Sequence, residues 1–291
     1  MTPEARWRAV LCAYVLVQLA LRFVSGPALE LDEAEAFLHG QHLALGYGPQ
    51  PPLYFWIQWG VFQVLGETIL ALAAFKALIL GATLLLLFEF LRREVSVAAA
   101  GTATLSLGFL VQVVYEGQRS FTHSSMALLA AVAMGWALIR ALRTGRWSDH
   151  ALLGLATGVG LLSKLNVAVW AGGLVLAALL IPEWRRRLRA GPMLAATAVA
   201  LLLNAPVGAW MFANPDLALR SAGKFEVGSG AGAVAEGLGV LALAALSFNG
   251  VGLLAVGLAW AFGREGRTRP RAPSGVRLLL VASGLSLLLV G

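Results

Sequence analysis

The sequence predicts an all-α, polytopic membrane protein: about eight to nine transmembrane helices, with an external loop of short interfacial helices after the first span. Three observations lead there. Of 291 residues, 59% are hydrophobic and 13% charged, with mean hydropathy +0.78; soluble domains are about 45–50% apolar and about 25% charged. Apolar runs rich in Leu, Ala and Gly recur near the roughly 20-residue length that crosses a bilayer. The basic residues fall in clusters between those runs, as they do in cytoplasmic loops. The net charge of +7 is therefore a topology signal, and nucleic acid is not an expected partner. The single cysteine, Cys12, permits no internal disulfide and reads as a small apolar residue.

The first span is read over residues 10–25, with Arg6 and Arg8 placing its start in the cytoplasm. A cleaved signal peptide is the rival reading, but no clear small-x-small cleavage site follows and Pro27 interrupts the region. Residues 26–66 form the external loop. Within it, residues 32–45 suit a short helix with Phe37, Leu38 and His42 on its apolar face, residues 46–52 an irregular Gly/Pro turn, and residues 53–65 an aromatic segment along or re-entering the surface. A span over 68–91 ends at Arg92 and Arg93; 97–114 returns outward to a turn at Glu116 to Arg119; 122–142 comes back to Arg140, Arg143 and Arg146. Residues 151–181 lie between two Arg clusters, so both ends are cytoplasmic and the run must be a hairpin of short helices. Its polar break at Ser163-Lys164-Leu165-Asn166 puts Lys164 at the outer tip, and Gly154 and Gly158 permit close helix packing. After Arg185, Arg186, Arg187 and Arg189, residues 193–212 go out, 214–236 form an outside loop, and 238–262 return to a last Arg cluster. The final run, 278–290, is short of a full crossing, so a truncated chain is expected. The glycines at 228–232 read as a flexible loop, with no strand before them and no Gly-Lys-Ser/Thr after.

The chemistry concentrates on the predicted outer face. Four carboxylates stand in Glu30-Leu31-Asp32-Glu33-Ala34-Glu35, in a chain with 15 acids in all. Ionisable groups near membrane depth are costly and usually functional. A carboxylate can take a proton from an attacking hydroxyl or amine, so Asp32 is the candidate base and Glu33 either its catalytic partner or a solvent-facing acid; the competing reading of the cluster is a helix start favoured by the dipole. Lys164 and Arg119 suit a lipid phosphate, although Lys164 could instead snorkel to the interface. His123 opens a helix in Thr122-His123-Ser124 and joins the candidate donor site, against a bland capping role for its neighbours. His39, His42 and Glu35 have a spacing that could ligate metal, a weak signal by itself; no metal ligands are assigned, and a divalent cation is left open as a cofactor. Lys76 and Glu89 fall in or near the end of a span and are read as a cross-helix pairing or a pathway.

These motifs carry a resemblance. Leu31-Asp32-Glu33-Ala34-Glu35, followed by Gly46-Tyr47-Gly48-Pro49-Gln50-Pro51-Pro52-Leu53-Tyr54-Phe55-Trp56, resembles the first external loop of bacterial protein O-mannosyltransferase and aminoarabinose-transferase-like enzymes of the GT-C superfamily. The run Gly154 to Lys164 is similar to that family's glycine-rich helix ending in Ser-Lys, and Thr122-His123-Ser124 falls where the family's next inward helix begins. The resemblance covers about residues 5–215. It implies a glycosyltransferase of the bacterial inner membrane, N-terminus cytoplasmic, with a periplasmic or external active site. The donor would be a sugar on polyprenyl phosphate and the acceptor a cell-envelope glycan, lipid or protein. It also implies Asp32 as base, inversion by in-line attack, and Lys164 on the departing phosphate. Two positions depart from the family pattern. Ser124 stands where many members have a second Asp, and Pro49-Gln50 precede the Pro-Pro pair where charged or His residues are common. Both argue against a metal-bridged mechanism. The family's C-terminal part is absent from 1–291, which is read as a single transmembrane domain. The alternatives are a transporter or flippase for a lipid-linked substrate, disfavoured by the lack of an internal repeat, and an inactive truncated member.

Overall fold

The structure, a computed structural model, describes residues 1–218, 220, 239 and 273–290. The expected span over 238–262, the Gly-rich stretch 228–232 and most of the outside loop 214–236 lie outside the described residues.

All regular structure among the described residues is helical. Among the described residues, four helices are long and apolar enough to cross a membrane: α1 (Pro3–Val24), α4 (Ile69–Leu91), α7 (His123–Thr144) and α11 (Ala190–Ala213). At 1.5 Å per residue, α4 is about 35 Å long and α7 about 33 Å, each enough for the hydrocarbon core. Two short helices, α2 (Leu31–His39) and α3 (Leu53–Leu65), stand between α1 and α4. The remaining elements are α5 (Val97–Gly108), α6 (Val111–Val114), a 3-10 turn (Glu116–Gln118), α8 (Trp147–Ser163), α9 (Val167–Leu180), α10 (Pro182–Arg185), α12 (Pro215–Ala218) and α13 (Ser274–Val290).

Local chemistry sets most of these boundaries. Thr2, Thr68 and Ser96 cap α1, α4 and α5, each hydroxyl accepting from an N–H three residues on. Pro3 at the first turn of α1 extends that helix a turn and more ahead of the expected start at residue 10. Gly145, at φ +67°, closes α7 in the left-handed conformation. The expected helix over 32–45 stops at His39, and its faces differ from the expectation. Leu38 and His42 are exposed, while Glu33 and Ala36 are buried. The single span expected over 97–114 is broken after Gly108 into α5 and α6. The tight fit behind that break is visible: a Cβ at Gly108 would meet the Tyr14 ring, and the Tyr14 hydroxyl donates to the Gly108 carbonyl. Where a hairpin is expected over 151–181, the chain forms two helices, α8 and α9, with a break at residues 164–166.

Three buried apolar clusters hold the bundle, and α4 contributes to each. Leu84 and Phe88 pack with Leu11 of α1 and Ala100 of α5. Leu72, Phe75 and Ile79 pack with Tyr54, Phe55 and Phe62 of α3 and Met126 of α7. Phe90 joins the largest cluster, built from α7, α8, α9, α11 and α13. Small residues bring helix axes together where apolar burial cannot drive association in lipid. Gly154 and Gly158 of α8 face Ala196, Ala200 and Leu203 of α11, and Asn204 Nδ2 donates to the Gly158 carbonyl at 3.1 Å. Gly173 of α9 meets Ala282 and Ser286 of α13 in the same way.

This packing gives the bundle two polar ends. At one, the starts of α4 and α7 and the ends of α1 and α8 converge under α2 and α3. At the other, the ends of α4 and α7 carry Arg143 paired with Glu94 at 2.5 Å, Arg140 with Asp149 at 2.7 Å, and Glu89 bridging Arg8 and Arg92.

Candidate active site under the short helices

The first end holds Asp32, Glu33, Lys76, Arg119, His123 and Lys164, whereas Glu89 lies at the other end, paired across helices with Arg8. Gly26, at φ +86°, turns the chain out of α1. Its carbonyl accepts from Arg22 Nη1 at 2.8 Å, and Ala28 O accepts from Arg119 Nη2 at 2.8 Å. The segment is thereby pulled across the bundle end, and α2 begins at Leu31 with Glu30 as its cap.

Two adjacent carboxylates of α2 then point to different surroundings. Glu33 is fully buried between α1 and α4. Arg22 grips it as a fork, Nε to Oε1 at 3.2 Å and Nη2 to Oε2 at 3.0 Å, and Lys76 Nζ donates to Oε1 at 2.6 Å. Lys76 also donates to the Arg119 carbonyl at 3.0 Å. Glu33 therefore has no free edge for a substrate. Asp32, one residue earlier and 100° around the helix, is half-buried and has no ion pair within 4 Å among the described residues. Partial burial raises its pKa above the ordinary carboxylate range. Lys164, the strongest charge acting on it, pulls the other way, Glu116 adds to the rise and Lys76 opposes it.

Lys164 caps the end of α8 in extended conformation, and its Nζ donates to Ser124 Oγ at 2.7 Å. Ser124 thus occupies the ammonium without cancelling its charge. Arg119 is half-buried at the same end: it pairs with Glu30 at 3.3 Å, and its Nε is buried with no hydrogen-bond partner among the described residues. His123 is buried against Phe55 and Tyr54, with ring centroids at 4.6 and 5.4 Å. Both its ring nitrogens lack a hydrogen bond, and the Ser163 backbone is their polar neighbour.

An aromatic wall completes the site. His39 lies 4.9 Å from Phe55 and 5.2 Å from Tyr47, with His42 at 5.6 Å from Tyr47. The Tyr47 hydroxyl donates to His42 O at 2.7 Å and accepts from Ala44 N at 2.8 Å, and Trp56 Nε1 donates to Ala44 O at 2.7 Å. These bonds fix the Gly/Pro turn, and Gly46 lies against the Trp210 ring of α11, where a side chain would not fit. Burial, and then His42, lowers the pKa of His39, which keeps it neutral. The spacing of Glu35, His39 and His42 does not assemble a metal site: no group of three metal-ligating side chains occurs among the described residues.

Sequence reasoning did not identify Arg22 as a partner of Glu33, and it left Lys76 unassigned. The available signal was physical: each is a cation inside an apolar helix, a position that requires an internal counter-charge.

The described residues form a helical bundle with four helices long and apolar enough to cross a membrane and a cluster of carboxylates and cations at one end, the architecture of a multi-pass membrane protein. The family described as dolichyl-phosphate-mannose-protein mannosyltransferase matches residues 49–210, and the chain belongs to it. That match contains Lys76, Arg119, His123 and Lys164 and begins after Asp32. Two curated relatives extend further. The chain is 39% identical over 239 residues to the lipopolysaccharide core galacturonosyltransferase RgtA of Rhizobium johnstonii, covering 80% of this chain and 47% of the relative. It is 34% identical over 296 residues to RgtB of the same organism, also a lipopolysaccharide core galacturonosyltransferase, covering 97% of this chain and 59% of the relative. The chain thus spans about half the length of the curated relatives it matches. No solved structure matches it.

Proposed function

We propose that the chain forms the catalytic membrane part of a glycosyltransferase that moves a sugar from polyprenyl phosphate to a cell-envelope acceptor on the outer face of the membrane. The observation that carries this reading is the division of labour between adjacent carboxylates: Glu33 is locked into a buried ion cluster, while Asp32 has no ion pair among the described residues and lies within the field of the Lys164 charge. In the proposed reaction, Asp32 accepts the proton of the acceptor hydroxyl as its oxygen attacks the anomeric carbon. The bond from that carbon to the phosphate oxygen breaks on the opposite side, its electron pair leaves with polyprenyl phosphate, and the configuration inverts. Lys164 holds the leaving phosphate, with Arg119 and His123 bordering the donor; Glu33 acts on Asp32 through α2 as a positioning residue. The relatives' names make galacturonic acid the first sugar to test and the lipopolysaccharide core the first acceptor.

The matching topology has eight to nine spans and a cytoplasmic N-terminus in a bacterial inner membrane. Residues 26–66 form the external catalytic loop, and 151–181 the helical hairpin that delivers Lys164.

The test uses the full chain in membranes with polyprenyl-phosphate-linked galacturonic acid and a lipopolysaccharide core acceptor. Asp32→Asn is expected to lower transfer by about 10²–10⁴-fold while leaving polyprenyl phosphate binding, read by native mass spectrometry, intact. Lys164→Ala is expected to lose that binding. Transfer at the wild-type rate by Asp32→Asn would refute the base, and undiminished retention of polyprenyl phosphate by Lys164→Ala would remove the donor site.

A further inference from the structure

The opposite end of the bundle holds a second built feature. Between the C-terminal ends of α4 and α7 lies an open cavity of about 320 Å³, at the lower end of the size range of small-molecule sites. It is separated from the Asp32 site by the length of α7, about 33 Å. Its floor is apolar: Phe90, Trp136 and Ile139. Its rim is cationic: Arg93, Arg140 and Arg143.

The three guanidinium groups are not equally engaged. Arg143 spends both terminal nitrogens on Glu94, at 2.5 and 2.8 Å. Arg140 gives only Nε to Asp149, at 2.7 Å, and lies 5.5 Å over the Trp136 ring, so its two terminal nitrogens are unbonded among the described residues. Arg93 is exposed and has no ion pair or side-chain hydrogen bond among the described residues. Among the described residues that line the cavity, three cations face the single acid Glu94, so its lining is net positive.

We propose that this cavity binds the headgroup of an anionic phospholipid. A phosphodiester is an anion that complements this net positive lining, and planar guanidinium forks suit its paired oxygens. The cavity sits where two membrane helices end. There a lipid phosphate meets Arg93 and Arg140 while its glycerol and upper acyl carbons cover Phe90, Trp136 and Ile139. A soluble anion would leave that floor unused, and Trp beside Arg is the pairing that favours a membrane boundary. Basic pockets between helix ends on the cytoplasmic side are known lipid headgroup sites. This proposal does not depend on glycosyl transfer.

The test is native mass spectrometry of the full chain in a neutral detergent, titrated separately with phosphatidylglycerol and phosphatidylcholine. Two variants each remove one exposed charge: Arg93→Gln at the cavity, and Arg186→Gln away from it. Neither residue has a side-chain partner among the described residues, so both variants should fold, which a melting curve checks. The expected result is one retained phosphatidylglycerol in wild type and Arg186→Gln, and about tenfold weaker retention in Arg93→Gln, the loss that one charged hydrogen-bonding group produces. Equal retention of the two lipids would overturn the proposal, as would an unaffected Arg93→Gln or an equal loss in Arg186→Gln. Displacement of the lipid by equimolar inorganic phosphate would show a free-anion site instead.

Discussion

Asp32 and Glu33 are neighbours in sequence and opposites in energetics. Glu33→Gln leaves Arg22 and Lys76 buried without their counter-charge. Breaking a buried ion pair from one side costs about 3–5 kcal/mol, so this variant should show a large drop in melting temperature. Asp32→Asn should not. Burial already raises the pKa of Asp32 in the folded protein, so its ionised form opposes folding at neutral pH, and removing the charge leaves stability unchanged or higher. A melting temperature for Glu33→Gln equal to wild type would deny the cluster its structural role. The same residue sets a pH dependence. Asp32 works as a base only when ionised, so transfer should fall on the acid side with a midpoint above the ordinary carboxylate value of about 3.9. Glu116 raises that pKa and Lys164 lowers it. Glu116→Gln should therefore move the acid limb of kcat/KM to lower pH, and Lys164→Met should move the limb of its residual kcat/KM to higher pH. Shifts in the same direction would show that another group titrates.

Glycine placement decides the helix contacts. A Cβ at Gly154 would fall on the Ala196 backbone of α11, which cannot move aside as a flexible side chain would. Gly172 of α9 has open space around it. Gly154→Ala should destabilise by about 1–3 kcal/mol through overpacking, whereas Gly172→Ala should be neutral or gain up to about 1 kcal/mol from helix propensity. Thermal unfolding in detergent reads both, and equal effects would mean that α8 and α11 do not pack at Gly154. The spacing of Gly154 and Gly158 was legible as a packing face. Their partner was not, because Ala196 and Ala200 look like any other apolar residues of a span. The break of α5 at Gly108 was hidden for a similar reason: it depends on Tyr14, which is remote in sequence and close only after α1 and α5 have packed.

For the whole molecule, the Asp32 end and the Arg93 end must face opposite compartments if the bundle spans the membrane as proposed. With Cys12 replaced by Ala, Gln41→Cys should react with a membrane-impermeant maleimide in intact spheroplasts, and Arg186→Cys only after permeabilisation. Both positions are exposed at their ends of the bundle. Labelling of both in intact cells, or the reverse order, would sink the topology.

Composition, apolar run length and Arg placement were enough to determine a helical membrane protein, the approximate position of the long helices described and the helix break at Lys164. Those properties follow from solvation of one segment at a time, which each segment carries in its own residues. The acidic cluster also announced itself, because four carboxylates in an apolar chain are costly wherever they lie. Only the tertiary structure decided which carboxylate is locked and which is free. Residues 32 and 33 have the same chemistry, and their difference is made by Arg22 and Lys76 on two other helices. The same holds for the Lys164–Ser124 bond and for the Arg93 cavity. Charge pairing in a low-dielectric interior is settled by distances of a few ångströms between elements far apart in the chain, and local sequence does not encode those distances.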